Sequence, residues 1–132
     1  MKLEDQVCSL ELAKKLKKLG VKQESLFYWD FENTAVPPVI LDKEGFKRFE
    51  AYQKIAKNTT RLKYFYSAFT VAELGNILPM GTAFMKFNNI HWTALTSYNE
   101  NRTTKRIDAE TEADCRAKML IYLIENELIK QI

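Results

Sequence analysis

Thr111-Glu-Ala-Asp-Cys-Arg-Ala-Lys-Met-Leu-Ile-Tyr-Leu-Ile-Glu125 is the stretch on which the fold turns. Ala113, Ala117, Leu120, Ile121 and Ile124 recur at three- and four-residue spacing, Met119 and Leu123 broaden the stripe, and Thr111 stands where a helix N-cap belongs. So wide an apolar face needs a partner, and a sheet crossed by this helix supplies one. Immediately upstream, Thr82 to Phe87 and Ile90 to Tyr98 flank Asn88-Asn89. Paired Asn residues tolerate the positive φ of a tight turn, so the two runs read as a β-hairpin.

Working toward the N-terminus, Thr70-Val-Ala-Glu73 has the form of a capping box and opens a short helix that ends before Pro79. Leu62 to Phe69 is strand-like, as is the aromatic run Leu26-Phe-Tyr-Trp-Asp-Phe31. Val39-Ile-Leu41 follows Pro37-Pro38 and reads as a further strand. Between Asp42 and Lys57, Phe46, Phe49, Tyr52 and Ile55 or Ala56 fit a helix, while Lys43-Glu-Gly45 would also turn a hairpin; the helix is preferred. Ser9 to Leu19 is an amphipathic helix with Leu10, Ala13 and Leu16 on its stripe, Ser9 at the N-cap and Gly20 at its end. Asn99 to Arg106 reads as a polar, basic loop.

These elements compose an α+β domain spanning residues 1–132, with a mostly antiparallel sheet of about four to five strands packed against the N- and C-terminal helices. The expected core is Leu10, Leu16, Phe27, Trp29, Phe65, Leu74, Phe84, Trp92, Leu120 and Ile124. A chain of 132 residues with 46% apolar and 12% aromatic side chains suits one core and argues against disorder. No repeat or linker divides it.

The same composition excludes several chemistries. A net charge of +3 falls short of the excess that neutralising a duplex backbone usually demands, so nucleic acid is permitted but not implied. Charged residues occupy the N-terminus where a signal peptide has an apolar stretch of roughly 7–15 residues. The longest apolar run, Met119 to Ile124, is about a third of a membrane span, so a cytoplasmic chain without membrane partners is expected. Cys8 and Cys115 would then stay reduced and read as small buried residues. The four glycines are never grouped into a phosphate loop, and one histidine with two cysteines forms no zinc pattern. No cofactor is expected. Asn58-Thr-Thr60 and Asn101-Arg-Thr103 match glycosylation acceptors, which carry no weight without a secretory signal.

Three features invite a site. Asp108, Glu110, Glu112 and Asp114 alternate like the start of a calcium loop, but the sixth position is Ala113 and the twelfth Met119, where Gly and Glu are needed. Acidic residues at a helix start explain them better. His91 is a candidate general base, yet no nucleophile motif accompanies it, and a histidine at the rim of a strand is the simpler reading. Lys14, Lys15, Lys18 and Lys22, with Arg102, Lys105 and Arg106, are candidate phosphate contacts. Phe27-Tyr-Trp29 and Tyr64-Phe-Tyr66 would stack on bases if they lay on an open face, although alternation turns part of each cluster inward. The solvated side of an amphipathic helix accounts for the same lysines.

Ser9 to Trp29, Ser67 to Gly75 through Leu78-Pro79, and Thr111 to Glu125 resemble an uncharacterised family of small phage, prophage and mobile-element proteins of gut bacteria. The three blocks cover about half the chain, in the same order. The helix carrying Glu112-Ala-Asp-Cys-Arg-Ala-Lys118 after a hairpin is also similar, more weakly, to small phage α/β sandwich domains. Between Glu32 and Lys63 the chain departs from the family pattern, which implies a shorter strand pair there instead of the Asp42–Lys57 helix. The resemblance implies an accessory protein of a phage or mobile element and carries no catalytic residue with it. Absent catalytic constellations and abundant aromatics lead to the expectation of a non-enzymatic protein acting through an unknown protein partner or a homodimer. A nucleic-acid-binding module is the alternative, and a small enzyme centred on His91 the second alternative.

Overall fold

The computed structural model describes residues 2–79, 81–87, 91–96 and 105–129. In chain order these form α1 (Leu3–Gln6), α2 (Leu10–Lys18), β1 (Phe27–Asp30), β2 (Val39–Asp42), α3 (Lys43–Ile55), a 3-10 turn (Thr60–Tyr64), β3 (Phe65–Ser67), α4 (Val71–Ile77), β4 (Thr82–Phe87), β5 (His91–Thr96), β6 (Lys105–Ala109) and α5 (Glu112–Glu125). The α+β class is as the sequence indicates, with antiparallel strands packed against helices. The single sheet is not: the strands divide into two three-stranded sheets, β2-β1-β3 and β4-β5-β6.

Why the sheets stay separate is visible at the outer edge of β3. The ammonium of Lys17 on α2 donates to the carbonyls of Lys63 and Phe65 at 3.0 and 2.9 Å, using acceptors that another strand would need. Burial holds the Lys17 amine below its usual pKa. Farther along, the segment between α1 and α2 closes the edge: Val7 bridges to Thr70, and the Cys8 amide donates to the Phe69 carbonyl at 2.9 Å. No position beside β3 is left for β4.

The main core gathers around α5, whose Ala113, Cys115, Ala117, Met119, Leu120, Ile121, Leu123 and Ile124 are all buried. A helix apolar on so many sides is covered from several directions; α2 and α4 lie against it, and β5 and β6 cross it. Of the expected core, Leu16, Trp29, Phe65, Leu74, Leu120 and Ile124 are buried, while Leu10, Phe27, Phe84 and Trp92 are half-buried against it.

The first sheet is covered on both faces. Trp29 points into the main core, where its Nε1 donates to the Cys8 carbonyl at 2.9 Å. Its neighbour Tyr28 points the other way and stacks on Phe46 of α3 with ring centroids 4.1 Å apart, and Phe65 completes this smaller core. Neither Tyr28 nor Trp29 is therefore open to a base. The Asp42–Lys57 ambiguity resolves to a helix because Asp42 caps it, its side chain accepting from the Gly45 amide at 2.7 Å. Replacing Asp42 by Ala should cost about 1 kcal/mol in urea unfolding while Asp42→Asn stays nearly silent; equal losses would mean that the capping oxygen is immaterial. The apolar stripe of α3 outruns the sheet, leaving Tyr52 and Ile55 exposed.

Two further expectations are corrected. Leu62 lies in the 3-10 turn, where Arg61 bonds Asp30 at 2.6 Å and Glu32 at 3.3 Å, so β3 starts only at Phe65. Lys105 and Arg106 belong to β6 and not to a loop, because they pair with Thr96 and Leu95. The Asn88-Asn89 turn lies outside the described residues.

Candidate functional site

Where the two sheets meet, a cleft of about 680 Å³ opens between α1, the start of α4, the start of α5 and the ends of β4 and β5. Leu3, Phe27, Val71, Ala72 and Trp92 give it apolar walls, and Asp5, Glu110, Glu112 and Lys86 bring charge to its lining. Strand register explains the placement of Trp92: it stands directly opposite Lys86 on one side and Ala109 on the other, on the face that α5 packs against. The small Ala109 leaves room for the indole.

Both helix starts in the wall are fixed by their caps. Thr70 Oγ1 accepts from the Glu73 amide at 3.2 Å, and Glu73 Oε1 accepts from the Thr70 amide at 3.0 Å, the reciprocal pair expected from the sequence. Glu73 also accepts from Ser25 Oγ at 2.8 Å and from the Leu26 amide at 3.2 Å, tying α4 to the start of β1. Thr111 Oγ1 accepts from the Asp114 amide at 3.1 Å. The Asp114 carboxylate in turn accepts from the Ser9 amide at 2.7 Å, so Ser9 starts α2 through its backbone, held by another helix, and makes no side-chain cap of its own.

Burial pushes the Asp114 carboxyl above its usual range, partly offset by the Ser9 amide. Between 3.8 and that raised value the folded chain holds a proton that the unfolded chain releases, so this group's contribution to stability falls as pH rises through the window. Asp114→Asn removes that slope while keeping an acceptor for Ser9. The variant should gain on the wild type in urea midpoint between about pH 4 and pH 7; parallel pH profiles would contradict the assignment.

The acidic alternation does not form one loop. Asp108 lies on the outer face of the second sheet, Glu110 and Glu112 line the cleft, and Asp114 turns to Ser9. Among the described residues no group of three His, Cys, Asp or Glu side chains is placed to hold a metal ion.

His91 Nε2 lies 4.0 Å from Asp108 Oδ1, beside an open depression of about 460 Å³ that Lys118 and Glu110 also line. Asp108 accepts from Thr93 Oγ1 at 2.7 Å and from Arg106 Nε at 3.1 Å, which together hold its carboxyl below the usual range. The Thr93 hydroxyl is thus committed to Asp108 and buried. Burial raises the Cys8 and Cys115 thiols to about 12 and about 11, which leaves both protonated at neutral pH.

The basic residues singled out in the sequence are dispersed. Lys14 sits over the Phe31 ring at 4.2 Å, whereas Lys15, the next residue on α2, reaches Glu125 of α5 at 3.5 Å. Lys18 is exposed, and Lys22, beyond the helix end, pairs with Glu24 at 3.5 Å. Lys105 lies over the Tyr122 ring at 5.2 Å and Arg106 turns to Asp108, on opposite faces of β6 as consecutive strand residues must be. Arg102 lies outside the described residues.

The cleft itself was not read from the sequence. Thr70, Glu73 and Thr111 announce themselves by their caps, but Asp5 and Leu3 sit on the four-residue α1, too short to show a period. Among the described residues no helix is long and apolar enough to cross a membrane. No protein-family model matches the chain, and neither a curated protein nor a solved structure matches it.

Proposed function

We propose that this chain is a non-enzymatic interaction module of the cytoplasm that binds a protein partner through the cleft between its two sheets. One observation carries the reading: a cleft of about 680 Å³ with aromatic and aliphatic walls and charged groups in its lining. That size and mixture suit a few side chains of a partner, the apolar walls supplying affinity and the charges orientation. The blocks resembling phage and mobile-element proteins make an accessory role in such an element the setting we propose.

The test is capture from a nuclease-treated host lysate by the wild type and by Ala72→Phe, which fills the cleft from an exposed position in its wall. A protein retained by the wild type and lost with Ala72→Phe supports the reading. Equal retention by both moves the contact elsewhere on the surface.

A second reading has its own support along the outer edge of β3. Lys14 and Lys17 lie over the Tyr66 ring at 5.8 and 4.9 Å, and Lys63 over the Tyr64 ring at 5.1 Å. Cations interleaved with aromatics suit single-stranded nucleic acid. Nucleic acid captured only without nuclease and released by salt would bring this strip forward; affinity for a single-stranded oligonucleotide that is indifferent to salt would remove it.

A further inference from the structure

The charge of the cleft runs against the charge of the chain. The protein carries a net +3, yet among the described residues the charged lining is Asp5, Glu110 and Glu112 against the single Lys86. Glu112 is shared with Arg116, whose Nε lies 3.4 Å from its Oε2. Asp5 and Glu110 are exposed and have no ion partner within 4 Å among the described residues, and Lys86 does not reach either of them. At the starts of α4 and α5, Thr70 and Thr111 each accept one first-turn amide, those of Glu73 and Asp114. Beside Asp5 and Glu110 stand the two aromatic side chains of the wall, Phe27 and Trp92.

From this juxtaposition we infer that the cleft takes a basic segment of a partner polypeptide, a lysine or arginine whose aliphatic stem lies against Trp92 and Phe27 and whose charged head meets Asp5 and Glu110. Long basic side chains are suited to such a site because the stem is apolar and the head is not, and a cation is attracted to an aromatic face. An acidic segment would bring like charges together in a partly desolvated cleft, which gives the site its discrimination. The inference rests on the cleft being the docking site.

Trp92 is the reporter, because the other tryptophan, Trp29, is buried in the main core away from the lining. The probes are Ac-Leu-Arg-Leu-Lys-Gly-NH2 and Ac-Leu-Glu-Leu-Glu-Gly-NH2, titrated against the full chain while tryptophan emission is followed, with Trp92→Phe to assign the signal. The basic peptide should bind at least about tenfold tighter than the acidic one. Glu110→Lys should weaken it about fivefold and Lys86→Glu tighten it by a similar factor, the size expected of single charge reversals at a partly exposed rim. The double exchange Lys86→Glu with Glu110→Lys restores the charge of the lining and should return affinity toward the wild type, and far-UV circular dichroism checks the fold of each variant.

Equal or tighter binding of the acidic peptide, or indifference to all three charge variants, overturns the basic occupant and leaves docking at the cleft standing. Silence of Trp92 toward both peptides, together with undiminished lysate capture by Ala72→Phe, overturns both. An emission change on concentrating the protein alone, with a dimer in light scattering, assigns the cleft to a second copy and also overturns the inference.

Discussion

Trp29→Ala should lose about 3–5 kcal/mol of unfolding free energy, a large share of what a domain of this size possesses. Two terms add. The indole is 8% exposed and fills space between the first sheet and the α5 core, so its removal leaves a cavity. Its Nε1 also donates to the Cys8 carbonyl at 2.9 Å, in the segment that closes the sheet edge, and that carbonyl would lose its side-chain donor. Trp29→Phe separates the terms: it retains most of the ring and removes the N–H, and should cost about 1–3 kcal/mol. Urea unfolding followed by circular dichroism gives both values. If Phe and Ala cost the same, the hydrogen bond dominates and the packing account fails. Trp92→Ala provides the contrast, because a half-buried side chain in a cleft wall should affect stability less and peptide binding more.

That difference between two tryptophans shows where sequence reading stops. Both stand on strand-like runs, and alternation in Phe27-Tyr28-Trp29 suggests one face in and one face out. Tyr28 and Trp29 are nevertheless both buried, because α3 adds a second layer in which the distant rings of Phe46 and Phe49 pack with Tyr28 and Phe65. Local signals were legible: Thr70 with Glu73, Thr111, Gly20 at positive φ after α2, and the apolar period of α5 each depend on residues a few positions apart. Sheet membership depends on the outer edge of β3, and that edge is decided by Lys17 reaching carbonyls 46 and 48 positions away. No composition or period encodes such a reach. The cleft suffers the same limit, since Asp5, Thr70, Lys86 and Glu110 meet only once both sheets are placed. The charge runs misled for a related reason: residues adjacent in sequence, Lys14 with Lys15 and Lys105 with Arg106, diverge on helix and strand and find separate partners.

Glu73 is the position at which fold and cleft are joined, and Glu73→Ala should cost about 3 kcal/mol. Its carboxylate accepts from the Thr70 amide, Ser25 Oγ and the Leu26 amide at 3.0, 2.8 and 3.2 Å, so one side chain holds the start of α4 against the start of β1. Loss of the capping half contributes about 1 kcal/mol, and donors left without a charged acceptor contribute the rest. The Ser25 hydroxyl has the Ala68 carbonyl at 3.3 Å as a second acceptor, which keeps the total from rising further. Glu73→Gln retains size and one acceptor oxygen but turns an NH2 toward either Leu26 or the Thr70–Ser25 pair, so it should recover about half of the loss. Amide exchange distinguishes this account from a general weakening: Leu26 and Thr70 should lose protection before the amides of α5 do. Thr70, Val71 and Ala72 form one wall of the cleft and Phe27 another, and Glu73 is the tie between them. The basic peptide should therefore bind Glu73→Ala more weakly even where the variant is fully folded. Unchanged affinity there would mean that the two walls hold their spacing without the carboxylate.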